Sequence, residues 1–157
     1  MTKLIGLMLC LLALCGAAGC ANVQMTPDTL AALAAAGGAA SGQLMVPKPI
    51  SPALAAKILP VIDEVRPIAQ GIQTVEAIQT VLVPAISRAV QQYIPDVTVQ
   101  SVVTAALTAG VSIGQSYLTT HPDVAKQLGV AGYVTDAALL GFRNGLVAGI
   151  AGQEGGR

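Results

Sequence analysis

From Leu54 to Tyr93 the apolar residues fall in steps of three and four, and this spacing constrains the fold more than anything else in the chain. Leu54, Ile58, Val61, Ile62, Val65, Ile68, Ala69 and Ile72 line one face of a helix, while Lys57, Asp63, Glu64, Arg66, Gln70 and Gln73 fill the other. The stripe resumes at Val75, Ile78, Leu82, Ile86, Ala89 and Tyr93. A half-buried strand would alternate with a period of two, so this pattern does not suit a sheet. Ser51-Pro52 marks the start: a capping serine, then proline at the first helical position, where its missing N–H is not needed. Pro60, Pro67 and Pro84 interrupt the stripe, each removing an intrahelical hydrogen bond, and Gly71 is a further weak point. The pattern predicts two helices, about 52–70 and 73–93, the first open to a split at Pro60.

Pro95-Asp96 opens a third segment. Its first part, Val97–Val103, is β-branched enough to be a strand. The steps Val99, Val103, Leu107, Gly110, Ile113 and Tyr117 fit a helix better, and no partner strand is apparent. His121-Pro122-Asp123 is a break, with Asp123 placed to pair with Lys126. After Gly129 a last helix is expected over about 130–151, followed by a frayed tail, 152–157. The expected fold is all-α, a small helical bundle of about four helices spanning 52–151.

Residues 20–51 read as a tether ahead of that domain. Thr26-Pro27-Asp28 caps a short helix over "DTLAALAAA", which Gly37-Gly38 ends. Pro47, Pro49 and Pro52 then enforce extended backbone, a semi-rigid spacer at ~3.1 Å per residue. The alternative is a loop packed on the domain.

The front end carries an address. Lys3 and the free amine precede an uncharged run from Leu4, and small residues Gly16, Ala17, Ala18 and Gly19 lead to Cys20. That order is a secretory signal peptide over residues 1–19, and the run falls short of the ~20 residues a membrane-spanning helix needs. Ala18-Gly19-Cys20 resembles the lipobox of bacterial lipoprotein precursors, a resemblance confined to residues 1–23. The family usually has leucine where this chain has Ala17. The resemblance implies that the Cys20 thiol is diacylglycerated, the signal is cut before it, and the new amine is acylated. Two or more fatty chains make a stable anchor. Ala21, rather than aspartate, in the next position implies the periplasmic face of the outer membrane. Ala17-Ala18-Gly19 also suits an ordinary signal-peptidase site, which would release a soluble secreted or periplasmic protein. On the lipoprotein reading Cys10 and Cys15 leave with the signal and Cys20 becomes a thioether, so burial alone must stabilise the fold.

Composition narrows the partners. The formal net charge is zero, and there is neither a basic cluster nor an aromatic stacking platform, so no nucleic-acid partner is expected. One Phe, three Tyr and no Trp make a sugar-binding shelf equally unsuited. Charged residues are 10 % of the chain against a usual ~25 %. Such a surface favours a homo-oligomer, an envelope protein partner or membrane contact. The plainer alternative is a compact Ala/Val-rich bundle whose exposed positions are Gln, Thr and Ser.

The most specific pattern lies in the last helix, where Ala137, Gly141, Gly145 and Gly149 recur every four residues. Each helical glycine costs roughly 1 kcal/mol against alanine, a cost offset when another helix approaches closely. Gly110 and Gly114 in the preceding helix are the expected mate. Phe142, Leu146 and Ile150 form a bulky flank, and Asp136 and Arg143 point away from the glycines. The pattern is similar to the glycine zippers of some small outer-membrane lipoproteins, which carry longer glycine runs without a residue like Arg143. A tight pair within the domain and an oligomer or membrane contact both fit it.

Chemistry is thinly represented. His121 is the chain's one histidine and has only Asp123 nearby, too few ligands for a metal. There is no GxSxG elbow, and Gly37-Gly38 lacks the Lys-Ser/Thr of a phosphate loop. Asp63 and Glu64 are about 100° apart on a helix and read as solvated. No cofactor and no catalytic residues are expected, which leaves a lipid-anchored envelope protein with a structural or interaction role. The alternative is a membrane-active protein inserting helices 97–118 and 130–151. Asp136 and Arg143 weigh against it, since an ionised group at mid-bilayer costs at least ~2.5 kcal/mol.

Overall fold

Proline at the first helical position starts three of the described helices, two of them behind a hydroxyl cap. The computed structural model describes residues 25–46 and 50–154; the signal peptide and Cys20 lie outside them. Helix α1 is Pro27–Met45, with the Thr26 hydroxyl accepting from the Thr29 N–H at 3.2 Å. Helix α2 is Pro52–Gln70, where Ser51 Oγ accepts from the Leu54 N–H at 3.2 Å. Helix α3 covers residues 75–93: an α turn (Val75–Ala77), a π-helical stretch (Ile78–Leu82) and a second α segment (Val83–Tyr93). Helix α4 is Val97–Thr120, short α5 is Pro122–Ala125, and α6 is Val130–Glu154. The fold is all-α, a small helical bundle, with no strand among the described residues.

Residues 97–103 are helical, because the Asp96 carboxylate accepts from the N–H groups of Thr98 and Val99 at 2.8 and 3.1 Å. A charged cap of this kind outweighs the weak strand preference of the valines. Pro60 and Pro67 do not split α2. Both are exposed, as are Ala56 and Asp63 four residues earlier, so water reaches the carbonyls that the prolines leave unpaired. Pro84 is handled differently. The Val83 N–H bonds five residues back to the Ile78 carbonyl, widening the helix just before the proline ring. Helix α6 continues past Ala151 to Glu154, where a frayed tail was expected.

The tether is the principal correction. Residues 27–45, expected as part of a tether, form a helix of the core, and α1 makes with α6 the most extensive helix contact among the described residues. The extended backbone expected at Pro47 and Pro49 lies outside the described residues. Gly37-Gly38 does not end the helix. Leu30, Ala31, Ala34, Gly38 and Gly42 are its buried residues, and the glycines are where it lies closest to α6. Together with Val46 and Ile50 they join the core built by α2, α3, α4 and α6. Met25, the first described residue, also packs against that core.

Contacts set the direction of every helix. Ala35 meets Gly141, Ala39 meets Gly145 and Val46 meets Gly149, so α1 and α6 run parallel. Gln70 meets Gly132 and Asp63 meets Arg143, so α2 opposes α6. Gln79 bonds Gln115, so α3 and α4 oppose each other. One end of the bundle, the near end, gathers Thr26, Gly71 and the α4–α6 connection. The far end gathers Val46, Ser51 and Asp96.

Candidate functional site

The glycine stripe of α6 faces α1 rather than α4. A Cβ added at Gly141 would overlap the Ala35 carbonyl oxygen, and one at Gly145 the carbonyl oxygen of Ala39. At Gly149 it would lie 2.8 Å from the Val46 Cβ. The relation is reciprocal: side chains at Gly38 and Gly42 would overlap the Ala138 and Phe142 carbonyls. Backbone lies on backbone, close enough for Cα–H···O contacts along the seam. Ala137 is half-buried beside it.

Gly110 and Gly114, the expected mates, pack on another side of α6. Gly110 faces the Phe142 ring, with 3.3 Å from an added Cβ to Cγ, and Gly114 faces Thr135 and Ala138 at 3.3–3.4 Å. Gly110 accommodates a side chain and Gly114 lies on α6 backbone beside the Ala138 methyl; neither meets the glycine stripe. Helix α6 is thus enclosed by α1, α4 and α2, and its stripe is used within the domain. Thr135 lies in this packed region, fully buried, and its hydroxyl has no hydrogen-bond partner among the described residues.

The charged edge of α6 closes onto α2. Arg66 Nε and Nη2 donate to the two Asp136 oxygens at 2.7 and 3.1 Å, and Gln70 Nε2 adds a bond at 3.0 Å. Arg143 grips Asp63 in the same bidentate way, at 2.8 and 3.1 Å. Asp63, read as solvated, is a paired group. Hydrogen bonding to Asp136 raises the Arg66 pKa, with burial acting against it, and hydrogen bonding to Asp63 does the same for Arg143. Each of these charged groups is paired across the α2–α6 contact. At the near end the Tyr133 hydroxyl donates to Asp28 at 3.2 Å, a bond that raises the pKa of the phenol.

His121 Nδ1 lies 3.0 Å from the Tyr117 carbonyl oxygen and 3.0 Å from Thr120 Oγ1, tied to the end of its own helix. Asp123 pairs with Lys126 at 3.7 Å in the open. Among the described residues no group of three His, Cys, Asp or Glu side chains could hold a metal ion.

Helix α4 turns an uncharged side outward. Val97–Thr120 contains no Asp, Glu, Lys or Arg, and its solvent side presents Ser101, Ala105, Ala109, Ser112 and Ser116. Ser101 and Ser112 turn their hydroxyls back to the Thr98 and Thr108 carbonyls at 2.7 and 2.8 Å, leaving small, weakly polar relief outside. An open groove of about 700 Å³ runs between this side and Ser87 and Gln91 of α3. A second, of about 520 Å³, lies at the near end between Thr74 and Glu76 on one side and Thr119 and Lys126 on the other. Sequence reasoning missed Gly38, Gly42, Arg66 and the α4 face. The first two had a signal, since Ala34, Gly38 and Gly42 repeat the four-residue step of α6.

No protein-family model matches the chain, and no curated protein or solved structure matches it.

Proposed function

We propose that this chain is a lipid-anchored protein of the cell envelope, held by Cys20 at the periplasmic face of the outer membrane, with a structural or protein-interaction role. The observation that carries the reading is the lipobox-like Ala18-Gly19-Cys20, with Cys20 five residues ahead of Met25, which packs on the core. A short connection between anchor and domain suits a protein that works at the leaflet surface. The partner surface is the uncharged outer side of α4, since the glycine stripe is used within the bundle and the charges of α6 are paired. Partners of matching chemistry are a second copy of this chain or another envelope protein that presents small, uncharged relief.

Metabolic labelling with a fatty-acid probe tests the anchor. Labelling is expected in the parent and lost in Cys20→Ser; labelling that persists in the variant refutes it. Photocrosslinkers at Ala105 and Ser112 test the surface, and crosslinks from Arg88 on α3 in their place would move the interface elsewhere.

A second reading rests on α4 alone, which is long and apolar enough to cross a membrane. In that reading α4 leaves the bundle and inserts, while α6 stays locked to α1 and α2. A chain beginning at Ala21 that leaves dye-loaded liposomes intact refutes it.

A further inference from the structure

The direction of α1 fixes which end of the bundle meets the lipid. Cys20 is five residues before Met25, and each residue spans at most ~3.6 Å, so the anchor lies within about 18 Å of Met25, the start of the described fold. That start is at the near end, where Thr26 caps α1. The far end, with Ser51, Asp96 and Val97, is a helix length away, and a 25-residue helix such as α6 is roughly 37 Å long.

The near end carries the most exposed large apolar side chain among the described residues. Leu128 is 90 % exposed, in the turn Lys126-Gln127-Leu128-Gly129 between α5 and α6. Gly129 takes a positive φ of 78°, which reverses the chain into α6 and leaves Leu128 outside the core that takes Val130. Tyr133, half-exposed in the first turn of α6, stands nearby with its hydroxyl on Asp28. The same end carries Gln73, Thr74 and Thr119, groups that hydrogen-bond to headgroups, and Lys126, which can reach a phosphate.

From this placement we infer that the bundle docks end-on, with Leu128 inserted at the headgroup–acyl boundary as a second, non-covalent contact to the leaflet that holds the Cys20 lipid. The inference rests on the lipid-anchor reading and adds an orientation to it. The partner is a lipid surface recognised by apolar insertion. Asp28, Glu76 and Asp123 share the end with Lys126, so anionic lipid is not what attracts it. End-on docking also leaves the whole α4 face open to the periplasm.

The test uses the full acylated chain in vesicles of phosphatidylethanolamine and phosphatidylglycerol that carry a nitroxide at the acyl boundary. All three native cysteines lie at or before Cys20, so Leu128→Cys, Ala105→Cys and Val97→Cys each give the acylated chain one free thiol for an environment-sensitive dye. These three sites are exposed, so the label leaves the core intact. An interfacial side chain sits ~5–10 Å into the boundary, so emission at 128 is expected to fall by at least about half, with 97 and 105 unchanged. Intact mass reports the acylation of Cys20 independently. An acylated chain whose label at 128 stays unquenched overturns the docking and leaves the anchor standing. Quenching at 105 shows a bundle lying on α4, and quenching at 97 shows the opposite end down; either overturns it. A chain without the acyl mass overturns the anchor and the docking together.

Discussion

Gly145→Ala is the sharpest probe of the α1–α6 seam. On an isolated helix the change is favourable by roughly 1 kcal/mol. In the bundle the new methyl would overlap the Ala39 carbonyl oxygen and lie 2.8 Å from the Gln43 nitrogen and 2.9 Å from the Ala39 carbonyl carbon. Carbon contacts are comfortable at ~3.5–4.0 Å, so α1 must retreat by on the order of 1 Å. The obstacle is backbone, which cannot swing aside as a side chain does. A retreat of that size also forfeits a quarter to a half of the dispersion energy of each contact along the seam, at Gly38, Gly42, Gly141 and Gly149 as well. Overpacking typically costs ~1–3 kcal/mol, and a rigid obstacle on a shared seam puts this site at or above the top of that range. Net of the helix gain, the expected loss is about 2 kcal/mol, or roughly 4–10 °C in Tm for a domain of this size. Thermal melting followed by far-UV circular dichroism reads it, with two comparisons. Gly110→Ala meets only the Phe142 ring, at 3.3 Å, and is expected near neutral; Gly152→Ala meets nothing within 4 Å and is expected to stabilise by up to ~1 kcal/mol. If Gly145→Ala melts level with or above the parent while Gly152→Ala behaves as stated, the backbone-to-backbone seam is refuted.

Thr135→Val replaces a buried, unpartnered hydroxyl with a methyl of the same shape, and should raise stability by about 1 kcal/mol in the same melt. A double-mutant cycle at Arg66 and Asp136, whose side chains are 24 % and 14 % exposed, should give a coupling of about 1–2 kcal/mol. The cycle at Arg143 and Asp63, 31 % and 47 % exposed, should give less than about 1 kcal/mol, and fall further with added salt. The Tyr133 phenol should ionise above an ordinary tyrosine, because ionising it breaks the bond to Asp28. Its folded pKa is raised, so its contribution to stability is complete below the unfolded value near ~10 and is lost as pH rises through the folded one. Ultraviolet titration reads this directly, and Asp28→Asn should return the group to the ordinary range.

The all-α class and four of the helices could be read from the chain because their determinants are local. Ser51-Pro52 and Asp96 are caps, and Leu54 to Ile72 carry bulky residues whose spacing needs no partner to be seen. Helix α1 could not be read in this way. Its buried positions are mostly Ala and Gly, so the stripe has little hydrophobic contrast, and Gly37-Gly38 has the local chemistry of a helix stop. What keeps the helix going is the backbone of residues 138–146, a contact between distant parts of the chain. The same logic divides the stripe on α6. That it needed a close neighbour follows from the cost of glycine; that the neighbour was α1 depended on the topology. Arg66 was legible as an exposed helix residue, but its pairing with Asp136 required α2 and α6 to be side by side.

The seam joins the first described helix to the last, and this has a consequence for how the protein is made. Residues 35–46 find their mates only among residues 138–149, so a chain emerging from its N-terminus cannot complete its core until the final helix has arrived. Contacts so distant in sequence slow folding, because the intervening chain must be ordered before they reward it. Under the lipid-anchor proposal the chain is threaded through a membrane pore, where that delay is useful, since a segment that folds early would jam the passage. Joining the first described helix to the last leaves the core open until α6 is present, whatever route the chain takes.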